Sequence, residues 1–200
     1  MILTIFITLL ILTTLTKVTL IFLNIKSVKE NIKVPSEFSE AISQEQHEKA
    51  QQYTMAKAKF SLTNMVLNFA ILLVWLFSGL LDSLANLSSQ FGLGTMSTGV
   101  LFLVLFNIVN GIIGLPLSWY FHFHIEEKFG FNKMTPKLFI MDNLKQFVLG
   151  LAIGVPLLFA FLYFLYNAGS NWWLYAWIFI VAFQFIMIWA YPKFIAPLFN

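Results

Sequence analysis

The sequence predicts an all-α polytopic membrane protein with about five transmembrane helices. Of its 200 residues, 59% are hydrophobic and only 10% are charged, and the mean hydropathy is +0.80. Soluble domains carry roughly 45–50% apolar and about 25% charged residues. The composition therefore excludes an ordinary soluble domain and a disordered chain. The absence of cysteine excludes a disulfide-stabilised module and a cysteine-ligated metal site.

Five segments are apolar over the roughly 20 residues needed to cross the hydrocarbon of a bilayer. They predict spans at about 1–23, 61–81, 98–121, 147–166 and 173–190. Lys17 interrupts the first segment near one end, where its amine can reach the membrane surface. No lysine precedes it and no small-residue cleavage site follows the segment. We therefore expect a retained span rather than a signal peptide.

A long helix is predicted to extend the second span into the cytoplasm. Ser43 and Gln46 have the spacing of a capping box. Residues 45–59 are rich in Ala, Gln, Lys and Glu, which favour helix. Pro35 and Ser36 offer a further helix start. No second domain is indicated, so residues 1–200 are expected to form a single transmembrane domain.

The lysines alternate between loops. Segment 24–60 carries six lysines and segment 122–146 carries four, whereas 82–97 and 167–172 carry none. Because lysine-rich loops stay in the cytoplasm, we predict that the N-terminus is outside and the C-terminus is cytoplasmic. The lysines are scattered among acids and form no basic stripe, which argues against binding of nucleic acid.

The histidines suggest no metal site. His47-Glu48 begins like the zinc motif H-E-x-x-H, but Gln51 stands where its second histidine would be. We expect His47 to lie on a solvated helix surface. His122 and His124 would diverge by about 200° on a helix, which favours solvation at the membrane boundary over chelation of one ion.

Two adjacent glutamates and several amides within the predicted spans are further candidates for a functional role. The adjacent Glu126 and Glu127 are expected to form salt bridges with Lys128, Lys133 or Lys145 rather than an acid/base pair. Amides within the spans favour either hydrogen bonds between helices or the lining of an internal cavity. The amides in question are Asn64, Asn68, Asn107, Asn110 and Gln184, of which Asn107, Asn110 and Gln184 are the candidates for lining a chamber. The spans lack Asp and Glu, which argues against a transporter.

One stretch resembles a known family. Residues 125–135, Ile-Glu-Glu-Lys-Phe-Gly-Phe-Asn-Lys-Met-Thr, resemble the signature loop in the N-terminal membrane region of Ste24-type CAAX prenyl proteases, zinc metallopeptidases of family M48. Further similar segments follow the family's order, around Val34-Pro35, His47 to Lys57, Leu115 to Tyr120, Thr135 to Lys145, and Tyr191 to Asn200. The signature positions to which the resemblance assigns a structural or docking role are Glu126, Glu127, Gly130, Phe131, Asn132, Thr135, Asp142 and Lys145.

The resemblance implies part of a membrane endopeptidase whose helices enclose a water-filled chamber. In the family, an H-E-x-x-H motif and a later Glu hold the zinc, and eukaryotic members cleave prenylated peptides. This sequence has no such motif, so it offers no catalytic and no metal-binding residue and should be inactive alone. Zinc is implied only for the full-length enzyme. The implied partners are the lipid bilayer, a C-terminal catalytic domain, and a peptide or prenylated peptide substrate.

Two interpretations follow. The chain is the N-terminal membrane domain of such a protease, as a truncated or split polypeptide, or it is a non-enzymatic scaffold or chaperone-like remnant of the fold. The resemblance leans bacterial, which favours the cell membrane, with the endoplasmic reticulum as the eukaryotic alternative. Within the signature loop, Asn132 beside Gly130 suits a left-handed turn, and Thr135 before Pro136 suits a helix N-cap.

Overall fold

The computed structural model describes residues 1–34 and 41–199, which form helices joined by short connections, without a β-strand. Five helical segments are long and apolar enough to cross a membrane, which confirms the predicted fold class. They are Ile2–Glu30, Gln44–Phe77, Thr95–Phe129, Pro136–Asn167 and Gly169–Phe199. The helix start expected at Pro35 and Ser36 lies outside the described residues.

The chain divides into two compact units. Unit 1 comprises Met1–Leu80 and Ile113–Lys133, and unit 2 comprises Leu81–Ile112 and Met134–Asn200. Helix α4 (Thr95–Tyr120) contributes residues to both units.

Helix α1 (Ile2–Glu30) has the length and the apolar composition of a membrane-spanning helix. Its threonine hydroxyls donate to carbonyls of the preceding turn, as Thr14 does to Leu10 at 2.7 Å and Thr19 to Leu15 at 2.9 Å. These bonds satisfy hydroxyls that would otherwise be unpaired in hydrocarbon. One stripe is half-buried against the next helix, and its members Thr14, Val18, Ile21, Ile25 and Val28 alternate four and three residues apart.

Helix α2 (Gln44–Phe77) is the long helix predicted from the sequence. The capping box at its start is confirmed. The Ser43 hydroxyl accepts from the Gln46 amide at 3.2 Å, and the Gln46 side chain accepts from the Ser43 amide at 3.1 Å. The helix ends at Phe77, four residues before the predicted end of the span near 81, and Gly79 adopts φ +77°.

A short helix, α3 (Leu80–Ser89), occupies a segment expected to be a loop. Ser88 is fully buried there, and its hydroxyl donates to the Leu84 carbonyl at 2.8 Å. The third span also continues past its predicted end at 121, through a π-helical segment (Phe121–Glu126) and α5 (Glu127–Phe129). The apolar run ends near Phe121, but no helix breaker occurs before Gly130.

In unit 2, helix α6 (Pro136–Asn167) begins well before the predicted span at 147. Helix α7 (Trp172–Ala190) packs on α6, with Phe164 5.7 Å from Phe179 between ring centroids and Ala176 buried. The chain then continues through a π-helical segment (Tyr191–Ile195) and a 3₁₀ turn (Ala196–Phe199).

Many large apolar side chains face outward. Phe185 and Ile188, for example, are 70% and 71% exposed. A soluble protein rarely presents so much contiguous apolar surface. Lipid covering these faces is the environment in which such a surface is stable.

Candidate functional site

The signature loop, residues 125–135, includes α5 and makes a left-handed turn directly after it. Gly130 adopts φ +75°, and its amide donates to the Glu127 carbonyl at 3.0 Å. The Phe131 amide donates to the Glu126 carbonyl at 2.9 Å. This pair of bonds is the Schellman motif, which closes a helix with glycine in the left-handed region. The positive φ falls on Gly130 and not on Asn132.

Two aromatic residues of the loop lie against Tyr53 of α2. Phe129 is buried with its ring centroid 5.4 Å from that of Tyr53, and the Phe131 centroid is 4.6 Å from the same ring. The Lys57 ammonium lies 5.2 Å from the Tyr53 centroid on the same helix. The loop is therefore held to α2 by ring contacts. Sequence patterns could not predict the contacts of Tyr53, because its partners Phe129 and Phe131 are more than 70 residues away in the chain.

The two adjacent carboxylates have partners other than the lysines expected from the sequence. Glu126 Oε2 lies 2.7 Å from His122 Nδ1, one turn earlier in the π-helical segment. Glu127 Oε2 accepts from the side-chain amide of Asn132 at 2.8 Å. These partners are near in the chain. The helix continues through residue 126 and therefore places His122 one turn before Glu126, and the turn at Gly130 brings Asn132 back to Glu127.

His47 also departs from its expected role. It is half-buried, and its Nε2 lies 3.0 Å from the Asn31 carbonyl and 3.1 Å from the Gln51 side-chain nitrogen. Gln51 donates to the same carbonyl. His47 and Gln51 therefore tie the end of α1 to the start of α2, instead of lying on a solvated surface.

The remaining signature residues lie in unit 2. Thr135 is the N-cap of α6, as predicted, because its hydroxyl accepts from the Leu138 amide at 3.2 Å and Pro136 occupies the first turn. Asp142 is buried with 8% of its surface exposed, and its Oδ1 lies 3.2 Å from the Lys145 ammonium.

Lys145 connects α6 to the distant end of the described chain. Its ammonium donates to the Leu198 carbonyl at 2.8 Å and lies 5.6 Å from the Phe199 ring centroid. These contacts hold the 3₁₀ turn Ala196–Phe199 against α6. The contact with Asp142 could be inferred from the i, i+3 spacing, whereas the contact with Leu198 could not.

Two of the three candidate chamber amides, Asn107 and Asn110, form a hydrogen bond within their own helix. Asn107 donates to the Leu103 carbonyl at 2.8 Å, and Asn110 donates to the Phe106 carbonyl at 2.7 Å. Asn68 likewise donates to Asn64, at 2.8 Å. These bonds lie within single helices, and the lining of a chamber by Asn107, Asn110 and Gln184 stays a prediction. Asn107 and Gln184 are exposed, and Asn110 is half-buried.

The described residues do not fit a zinc ion. Over 1–34 and 41–199, no three His, Asp or Glu side chains come together as a ligand set. The ligands of a structural or catalytic zinc site number three or four. No catalytic step is therefore derived through zinc on these residues.

Comparison with known proteins gives one consistent result. Residues 24–200 match a family model described as the CAAX prenyl protease N-terminal region with five membrane helices. The chain is 35% identical over 178 residues to CAAX prenyl protease 1 of Saccharomyces cerevisiae, covering 84% of this chain and 39% of that protein. It is 32% identical to the homologue of Dictyostelium discoideum, covering 88% of this chain and 42% of that protein.

A solved structure agrees. The crystal structure of Saccharomyces mikatae Ste24p matches with a TM-score of 0.87 at 32% identity, over 96% of this chain and 46% of that one. The chain thus spans about two-fifths of the length of the curated relatives named above, 39% and 42%.

Proposed function

Because the chain belongs to the family of CAAX prenyl protease N-terminal regions with five membrane helices, we propose that it forms the membrane wall of a zinc-dependent endopeptidase and holds the catalytic part at the membrane. The observation that carries this proposal is the TM-score of 0.87 to Ste24p over 96% of the chain. The zinc ligands and the catalytic base would come from polypeptide outside these residues. The substrate class is a peptide with a prenylated C-terminus, as the names of the relatives indicate.

The signature loop supports the structural half of this role. Its carboxylates are engaged locally, Glu126 with His122 and Glu127 with Asn132. Its shape therefore does not depend on a further domain. Phe131 remains 53% exposed beside this turn. We assign the loop the role of a preformed platform on which the catalytic part docks.

The contacts of Lys145 with Leu198 and Phe199, all in unit 2, also support a docking role. Lys145 holds Leu198 and Phe199 against α6 through one hydrogen bond and one cation–ring contact. Polypeptide that continues from this turn would start from a held position. A fixed starting position would help to hold the groups of an active site on a neighbouring domain in their productive geometry.

The direct test is the composition of the protein purified from its native membrane. We expect an intact mass well above 23.0 kDa, about one zinc per chain, and cleavage of a farnesylated CaaX peptide that 1,10-phenanthroline abolishes. A mass of 23.0 kDa without zinc and without cleavage would instead support the scaffold interpretation.

The chamber assignment extends the proposal to Asn107, Asn110 and Gln184. An exposed amide within a span is costly against lipid but not against water. Since the chain contains no cysteine, single cysteines can report the environment. In the intact protein, Asn107→Cys and Gln184→Cys should react with a hydrophilic maleimide faster than Ile188→Cys, whose site is 71% exposed and apolar. Equal reactivity at the three sites would place the amides against lipid.

A further inference from the structure

A groove in unit 1 has no assigned role. It is an open groove of about 500 Å³ between the last turns of α1, the first half of α2, and α5. The charged residues in its lining are Lys29, Lys59 and Lys128, and the apolar ones include Val28, Met55 and Phe129.

The three lysines have no described counter-ion. In the described part of the chain, none of them lies within ion-pair distance of a carboxylate. The neighbouring acids have other partners, since Glu30 pairs with Lys26 at 3.8 Å and Glu127 accepts from Asn132. Three ammonium groups around one groove repel each other, and an anion between them relieves that repulsion.

The predicted spans put the groove near the membrane boundary. Lys29 lies six residues after the first predicted span, which ends near residue 23, and Lys59 lies two residues before the second, which begins near 61. At a rise of about 1.5 Å per residue, these separations are about 9 Å and about 3 Å along the helix axes. Val28, Met55 and Phe129 add an apolar wall beside the cationic one.

We propose that this groove binds the phosphate headgroup of an anionic phospholipid. The chemistry recognised is a phosphate anion, because lysine ammonium groups donate charge-assisted hydrogen bonds to phosphate oxygens. The apolar wall and the location at the membrane boundary favour a lipid over a free phosphate. Basic pockets between transmembrane helices on the cytoplasmic side bind anionic headgroups in this way.

The test uses the intact wild-type protein in nanodiscs, with acetylation of each lysine followed by mass spectrometry. Adding phosphatidylglycerol to phosphatidylcholine should slow acetylation of Lys29, Lys59 and Lys128 about tenfold relative to Lys26 and Lys33. Lys26 and Lys33 lie near the same helix end but outside the groove, so they report the general attraction of lysines to anionic lipid. Equal protection of both sets would overturn the proposal.

A second arm separates the two sources of phosphate. Soluble glycerol phosphate, added to phosphatidylcholine nanodiscs at the same total phosphate, should leave the groove lysines unprotected. If it protects them as well as phosphatidylglycerol does, the site is one for a soluble anion and the lipid assignment is wrong.

A third arm removes the charges. The variant K29Q/K59Q/K128Q should bind phosphatidylglycerol with a roughly tenfold higher Kd than K26Q/K33Q/K137Q, as measured by native mass spectrometry. The control removes the same number of charges from outside the groove. Equal Kd values would contradict the proposal, and if the groove variant fails to fold, the wild-type footprint decides alone.

Discussion

Gly130 determines where the third membrane helix stops. Its left-handed φ of +75° lets the amides of Phe131 and Asn132 turn back and donate to the Glu126 carbonyl, at 2.9 and 3.3 Å. An L-residue with a Cβ is disfavoured in this conformation. A Cβ at this position would meet nothing closer than the Lys49 ammonium, at 3.9 Å. The requirement for glycine is therefore conformational rather than steric.

We expect Gly130→Ala to lower the free energy of unfolding by about 1–2 kcal/mol. Gly130→Asn should cost less, because asparagine tolerates the left-handed region. The matched control is Gly154→Ala within α6, where added atoms meet nothing within 4 Å and alanine favours helix. The stability of the three variants is measured by thermal unfolding in mild detergent. An equal loss of stability in Gly130→Ala and Gly154→Ala would contradict the explanation.

Lys145 carries the longest-range polar contact of the candidate site. Replacing it with methionine removes the hydrogen bond to Leu198 and leaves the buried Asp142 carboxylate without its partner. We expect Lys145→Met to lower the free energy of unfolding by about 1–2 kcal/mol. The loss should be smaller in an Asp142→Asn background, because no unpaired charge then remains.

Lys137→Met, at an exposed position in the first turn of the same helix, is the control for loss of a lysine. A double-mutant cycle with Asp142→Asn, read from thermal unfolding, provides the coupling energy. Additive effects at 142 and 145 would show that the two side chains do not interact.

At the scale of elements, helix starts depend on side chains and one helix end depends on glycine. Ser43 and Gln46 satisfy the first amides of α2, and Thr135 satisfies an amide of α6. Both caps lie outside the predicted spans, so the helices begin well before the apolar segments do. Hydrogen bonding therefore sets these boundaries, and hydropathy does not.

Thr135→Ala should destabilise α6 by about 1 kcal/mol, because the Leu138 amide loses its acceptor. Thr135→Ser keeps the hydroxyl and should unfold close to wild type. The measurement is amide hydrogen exchange over the first turn of α6, supported by thermal unfolding. If serine and alanine accelerate exchange to the same extent, the cap does not stabilise this helix.

For the whole molecule, the alternation of lysines between loops predicts its orientation in the membrane. The rule concerns which loops stay in the cytoplasm. It therefore applies equally to a bacterial cell membrane and to the endoplasmic reticulum. The rule predicts that the N-terminus is outside, that the lysine-rich loops face the cytoplasm, and that α3 lies on the outer side.

Single cysteines can test this orientation, because the chain has none of its own. In sealed vesicles whose cytoplasmic face is outward, Lys133→Cys should react with a membrane-impermeant maleimide. Asn86→Cys, exposed on α3, should react only after detergent is added. The reverse pattern would invert the topology.

Much of the fold could be predicted from local sequence, and several bounds could not. The presence of five membrane-length apolar helices and the caps at Ser43 and Thr135 are confirmed, since each depends on residues close together in the chain. The end of the second span, the helix α3 and the extension of the third span to Phe129 differ from prediction. Apolar composition marks the residues that lipid can cover, and helical hydrogen bonding continues beyond them until a breaker intervenes.

Composition, periodicity and short motifs are local properties, and they sufficed to predict the membrane class, the five membrane-length helices and the signature that marks the family. Helix packing, which is not local, brings Tyr53 to Phe129 and Phe131, His47 to Asn31, and Lys145 to Leu198, which lies 53 residues away. A lysine or tyrosine has many partners within reach of an unfolded chain. Helix packing selects one of them, because the folded state is most stable when its buried polar groups are hydrogen-bonded and its aromatic rings are packed at the same time.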